Sequence, residues 1–162
     1  MGMNKISPYW EAAQKVSAGA GVPAEWIYAQ WAHESADFSS SLATQDNNFG
    51  GIKYCGYDGQ PKTDTGGYQH FKDLDQYAEY FIKHLNNSDG VKSCQTPEQY
   101  VQCMKDNDYF EDSVEKYTEG VVSRLNGEHV VNPGAAGYTA GSASGSAAAK
   151  ITGLDSERFL FV

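Results

Sequence analysis

The stretch 30–53, "QWAHESADFSSSLATQDNNFGGIK", starts as a helix carrying an acid and ends in a polar, glycine-broken run. Pro23 is a helix-start signal, and Glu25 in the first turn faces the positive end of the dipole. Ile27, Trp31 and Glu34 then fall at i, i+4 and i+7, so Glu34 extends an apolar stripe. A carboxyl beside Trp31 at i−3 and Gln30 at i−4 sits where desolvation raises its pKa, as a general acid near neutral pH requires. The competing reading is a solvent-facing glutamate near a helix end, since most charged residues are exposed.

Working outward, Ser7 followed by Pro8 predicts a preceding helix, with Ala12, Ala13 and Val16 facing inward and Gly19 and Gly21 ending it. After the opening stretch the period changes. "IKYCGY", the turn pair Asp58-Gly59, "QPKTDT", Gly66-Gly67 and "YQHF" read as short strands joined by turns, a small β-lobe between Gly50 and Phe71. Helices resume at Asp73, whose Asp-x-x-Gln forms a capping box before Tyr77, Ala78, Phe81 and Leu85, and again at "TPEQ" from Thr96. A last helix is expected from about Asp112 or Ser113 to Asn126, with Tyr117, Val121 and Leu125 in line and Gly127 just beyond.

Residues 4–131 therefore read as one domain. Residues 132–150 follow as a linker, because fourteen of the eighteen residues from Pro133 to Lys150 are Gly, Ala or Ser. The terminal "ITGLDSERFLFV", 151–162, is apolar but too short to fold alone; it either packs back as a tail or begins a further domain.

The composition narrows the function. Hydrophobic residues at 40% and eleven tyrosines fit a globular protein rich in side chains that stack against sugars. A formal charge of −9 argues against nucleic acid as a partner. No apolar run approaches the roughly 18 residues of a membrane span, and the first ten residues lack the apolar stretch of a secretion signal. Cys55, Cys94 and Cys103 fit neither a dense disulfide scaffold nor a four-ligand zinc site; they read as buried or free thiols, with one bridge among them as the alternative. His33 lacks a second histidine at helical spacing, position 37 being Asp37, so no metal or other cofactor is expected.

"AQWAHES" followed by "SSSLATQDNNFGGIK" resembles the signature of the bacterial glucosaminidase family of peptidoglycan hydrolases, found in autolysins, flagellar cell-wall hydrolases and phage lysins. Ala29, Gln30, Glu34 and Ser35 match the helix that delivers that family's catalytic glutamate, and Ser41 to Thr44, Asn47, Asn48, Gly51, Ile52 and Lys53 match the run after it. Weaker likeness continues through "YQHFKDLDQYAEYFIKHL" and "DYFEDSVEKYTEGVVSRL", with Tyr109 and Tyr117 at or near the family's tyrosines. Asp108 stands where the family has glycine, Ser113 where it has proline, and "NNFGGIK" where "NNLFGIK" is usual.

The resemblance implies an α+β, mainly α, lysozyme-like fold in which a helical lobe and a small β-lobe flank a cleft. It implies an endo-β-N-acetylglucosaminidase acting on peptidoglycan glycan strands in the cell wall, periplasm or outside the cell. Glu34 is then the general acid. A second carboxylate would lie about 6.5–9.5 Å away in an inverting enzyme and nearer in a retaining one. Asp64 is the better β-lobe candidate, ahead of Asp58 in its turn. If neither serves, the substrate's own N-acetyl group is the nucleophile, with Tyr109 or Tyr117 orienting it. Gln30, Asn48, Tyr68 and Tyr117 are the candidate substrate contacts, although Asn47, Asn48 and Lys53 suit a loop-fixing role better. An N-acetylmuramidase or lytic transglycosylase, and an inactive wall-binding module, are the alternatives.

Overall fold

The computed structural model describes residues 5, 6, 8–64 and 66–127. Ser7, Thr65, the expected domain end at 131, the linker 132–150 and the segment 151–162 lie outside the described residues. Among the described residues six α-helices follow one another: α1 (Tyr9–Ala20), α2 (Ala24–Glu34), α3 (Ser41–Asp46), α4 (Leu74–Asn86), α5 (Pro97–Asp106) and α6 (Val114–Leu125). The fold is mainly α, and among the described residues no helix is long and apolar enough to cross a membrane.

The helix ends follow their local chemistry. Asp73 accepts a hydrogen bond from the Gln76 N–H at 2.8 Å, while the Gln76 side chain accepts from the Lys72 N–H at 2.9 Å. Thr96 and Gln99 repeat the exchange at the start of α5, and Ser113 accepts from the Lys116 N–H at the start of α6. The short α3 is not evident from periodicity; Ser40 caps it, accepting from the Ala43 N–H at 3.2 Å.

α2 lies at the centre, packed between α1 and α6; α1 also packs on α4, and α5 on α6. The sequence pattern suggests one inward stripe on α2, but every residue from Trp26 to Ala32 is buried. Trp31 sits within 5.3–5.5 Å, centroid to centroid, of the rings of Phe49, Tyr77 and Phe81, so the helix bearing Glu34 is wedged into an aromatic core from several sides.

The expected strands between Gly50 and Phe71 are a point of correction. Among the described residues this region makes only two isolated antiparallel bridges, Lys53 with Tyr68 and Lys62 with Gln69. One buried amide does what a ladder would otherwise do. The Gln69 side-chain oxygen accepts from the N–H groups of Cys55 and Tyr57, at 3.0 and 3.1 Å, and its nitrogen donates to the carbonyls of Gln60 and His70, at 3.2 and 2.9 Å. Backbone groups that alternation assigns to neighbouring strands are thus satisfied by a side chain.

Candidate active site

Glu34 is the last residue of α2, and the chain turns sharply beyond it. Ala36, Asp37 and Phe38 have φ of 52°, 57° and 66°, three consecutive non-glycine residues in the left-handed region. Each such residue costs about 1 kcal/mol or more. Three side chains, Ser35, Phe38 and Arg124, hold the turn. Ser35 Oγ donates to the Trp31 carbonyl at 2.7 Å and accepts from the Phe38 N–H at 2.8 Å. Phe38 is fully buried and stacks on Tyr9 at 4.5 Å. Arg124 Nε and Nη2 donate to the two Asp37 carboxylate oxygens at 2.7 and 3.4 Å, in an almost fully buried pair.

α6 approaches α2 closely because residue 120 is glycine: a β-carbon there would overlap the His33 ring. That approach brings Tyr117 to Glu34. The Tyr117 hydroxyl donates a very short hydrogen bond to Glu34 Oε2. Gln30 Nε2 in turn donates to the Tyr117 hydroxyl at 3.2 Å, and the Tyr100 hydroxyl donates to Gln30 Oε1 at 2.6 Å. The buried Tyr100, Gln30 and Tyr117 form a chain spanning α5, α2 and α6 that ends on the partly exposed Glu34. Phe110 stacks on the far side of Tyr117 at 3.8 Å, and Lys105 Nζ holds the loop after Phe110 by donating to the carbonyls of Phe110, Glu111 and Asp112 at 3.3, 3.1 and 2.9 Å.

Tyr109 approaches from the opposite side. Its hydroxyl donates to the Gly50 carbonyl at 3.4 Å, and the residue lines the same cavity as Glu34. A β-carbon on Gly50 would overlap the hydroxyls of Tyr109 and Tyr77. Both are tips of packed rings that have little room to retreat. Gly50→Ala is therefore expected to lower stability by about 1–3 kcal/mol and to displace Tyr109. Urea unfolding measures the first effect and the environment-sensitive tyrosine signals the second; a Gly50→Ala chain as stable as the parent would contradict this packing.

Glu34 is partly accessible and opens into a cavity of about 580 Å³ whose walls include Gly50, Gly51, Lys53, Tyr54, Tyr68, Tyr80, His84, Tyr109 and Phe110. Burial pushes the Glu34 carboxyl up from 4.5 to about 8, against the opposing effect of the Tyr117 hydrogen bond. At neutral pH the group is mostly protonated. Burial, followed by the proximity of Glu34, raises Tyr109 and Tyr117 well above the usual tyrosine range, so both hydroxyls stay neutral donors. Burial also lowers His84, which keeps that imidazole uncharged.

Of the residues singled out from the sequence, Glu34, Tyr109 and Tyr68 line this cavity together. Tyr117 and Gln30 lie behind Glu34, buried, with their polar atoms turned to the chain just described. Asn48 is buried too: its amide donates to the carbonyls of Ile52 and Gln69, at 3.0 and 2.9 Å, and accepts from the Ile52 N–H at 3.0 Å, fixing the loop that carries Gly50. Asp64 is not brought to Glu34. It lines a separate cavity of about 310 Å³ with Asp46, Lys62 and His70, where Asp46 and His70 pair at 2.7 Å. Asp58, the other β-lobe aspartate, accepts from the Gln76 side chain at 2.9 Å. The carboxylates that do share the Glu34 cavity are Asp108 and Glu111, both exposed. Neither stands out by periodicity; the signal available for Asp108 is its place next to Tyr109.

The family described as mannosyl-glycoprotein endo-beta-N-acetylglucosaminidase, glucosaminidase for short, matches residues 10–130, more than half of the 162-residue chain. The chain belongs to the glucosaminidase family. No curated protein and no solved structure matches it significantly. Membership in the glucosaminidase family makes the chain a glycoside-hydrolase type of protein and supports a peptidoglycan-hydrolase type of function. The matched segment contains the whole of the chain from Tyr100 through Gln30 and Tyr117 to Glu34.

Proposed function

We propose that the protein is an endo-β-N-acetylglucosaminidase that cleaves the glycan strands of peptidoglycan, with Glu34 as the general acid. The observation that carries this reading is a carboxyl bonded by the Tyr117 hydroxyl at the wall of an open cavity that Tyr109 also lines, where burial favours its protonated form. In this reading a lysozyme-like cleft runs through that cavity and Tyr68 and Tyr54 offer ring surfaces to the sugars. Glu34 protonates the leaving glycosidic oxygen as positive charge develops on the sugar, and the Tyr109 hydroxyl faces the same ring. The catalytic domain of this reading is residues 4–131, and it works in the cell wall, periplasm or outside the cell.

The isolation of Asp64 from the Glu34 cavity favours a mechanism in which that residue takes no part. The substrate's N-acetyl group then serves as nucleophile, or exposed Asp108 or Glu111 activates water. Mass spectrometry of the fragments released from purified peptidoglycan tests the proposal. Reducing-end N-acetylglucosamine is the expected product. Reducing-end or anhydro N-acetylmuramic acid would assign the alternate bond, and wall binding without soluble fragments would make the protein a non-catalytic module.

The acid form is the active form, so the rate is expected to fall as pH rises through about 8, where Glu34 loses its proton. Tyr117→Phe removes a donor that stabilises the Glu34 carboxylate. The alkaline limb of the pH–rate profile should therefore move to higher pH in that variant, alongside a stability loss of about 1–3 kcal/mol from leaving Gln30 without its acceptor. An alkaline limb that stayed in place or moved down would show that this bond does not tune the acid.

A further inference from the structure

Cys94 and Cys103 lie together, away from the Glu34 cavity, where the turn Val91–Ser93 meets α5. Cys103 Sγ donates to the Asp89 carbonyl at 2.9 Å, and Cys94 Sγ donates to the next carbonyl along, Gly90, at 3.5 Å. A β-carbon on Gly90, the residue whose carbonyl takes the Cys94 thiol, would lie 3.5 Å from the Cys103 sulfur. Both sulfurs thus crowd one short backbone segment, and the sequence separation is bridged by the first turns of α5. Cys94 is buried, whereas Cys103 is partly exposed and receives the Asn107 amide at 3.7 Å. Cys55 is exposed and lines the Glu34 cavity, apart from this pair.

We propose that Cys94 and Cys103 are a disulfide-forming pair that closes in an oxidising compartment and staples the 89–94 turn to α5. The oxidant is a disulfide, either a small molecule or a thiol oxidase. The accessible Cys103 thiolate attacks it, forming a mixed disulfide and expelling one thiol. Cys94 then gives up its proton and attacks the Cys103 sulfur, forming the protein S–S bond and expelling the second thiol. Two protein S–H groups are oxidised and one disulfide is reduced to two thiols. Burial raises both thiols. That slows initiation, and it makes either sulfur a poor leaving group once bridged, so the pair acts as a lasting staple rather than a readily reversed switch. The bridge would tighten α5, which carries Tyr100 and hence one end of the chain behind Glu34. The oxidising setting rests on the cell-wall reading above, but the bond's formation does not depend on glycan cleavage.

The test is to incubate the full chain in reduced and oxidised glutathione at secretory-compartment ratios, quench, alkylate under denaturing conditions and digest with trypsin. Cleavage after Lys92 and Lys105 leaves both cysteines in one peptide, 93–105. The expected result is that this peptide carries no alkyl label and is lighter by two hydrogens, while Cys55 is labelled. The oxidised chain should also melt several degrees higher than the reduced one. A doubly labelled 93–105 peptide at every ratio, a stable glutathione adduct on Cys103, or a bridge that uses Cys55 would each overturn the proposal. Because the mapping is done on the unaltered chain, it does not depend on a cysteine variant folding.

Discussion

Replacing Glu34 by Gln is expected to lower glycan cleavage by about 10²–10⁴-fold, the usual contribution of a positioned general acid, with the fold intact. The amide keeps the shape and still accepts from the Tyr117 hydroxyl, but it has no acidic proton to give. The same variant has a second readout that does not involve substrate. In the parent chain the folded Glu34 holds its proton up to about pH 8, while the unfolded group releases it near 4.5. Across that window the folded state binds more protons than the unfolded state, so stability falls as pH rises. The full difference is equivalent to roughly 5 kcal/mol, an upper figure because solvent reaches the carboxyl through the cavity. The Glu34→Gln chain lacks this loss. Its melting temperature should match the parent near pH 4 and exceed it increasingly towards pH 9. A variant that cleared cell walls at the parent rate would remove Glu34 from the mechanism; equal melting temperatures at pH 9 would mean the acid is not desolvated.

The second large effect is expected at Arg124. Arg124→Met keeps the aliphatic stem but leaves the Asp37 carboxylate without its two donors in a site where both side chains are nearly buried. The expected loss is about 2–4 kcal/mol, read from urea midpoints at constant slope. Asp37 is the middle residue of the left-handed turn that follows Glu34, so the strain of that turn is released when the clamp goes. Cleavage should fall with stability, because the end of α2 no longer holds Glu34 against Tyr117. In the double variant with Asp37→Asn, the losses should be well short of additive. Arg124→Met within about 0.5 kcal/mol of the parent would show that the turn is held by Phe38 and Ser35 alone.

Most helix ends are legible in the sequence because capping is local: Asp73 with Gln76, Thr96 with Gln99, and Ser113 each bond within four residues. The region 50–71 misleads for a related reason. Alternation with paired glycines resembles strand and turn, but the bonds are made by Gln69, whose partners lie up to 14 residues away. Local pattern carries no signal for that.

At the site, residue order alone dictates that an acid closes an aromatic-rich helix and that tyrosines follow far downstream. Periodicity sets which residues share a helix face, and a carboxyl near tryptophan is a local fact. Which tyrosine meets the acid is settled by packing. Tyr117 reaches Glu34 across 83 residues because Gly120 lets α6 lie against His33, and Tyr109 reaches the same cavity because Gly50 leaves room for its hydroxyl. Packing also takes Asp64 into a separate cavity and turns Gln30 and Asn48 inward. Desolvation and hydrogen bonding between distant segments depend on how the helices lie against one another, and spacing along the chain does not encode that.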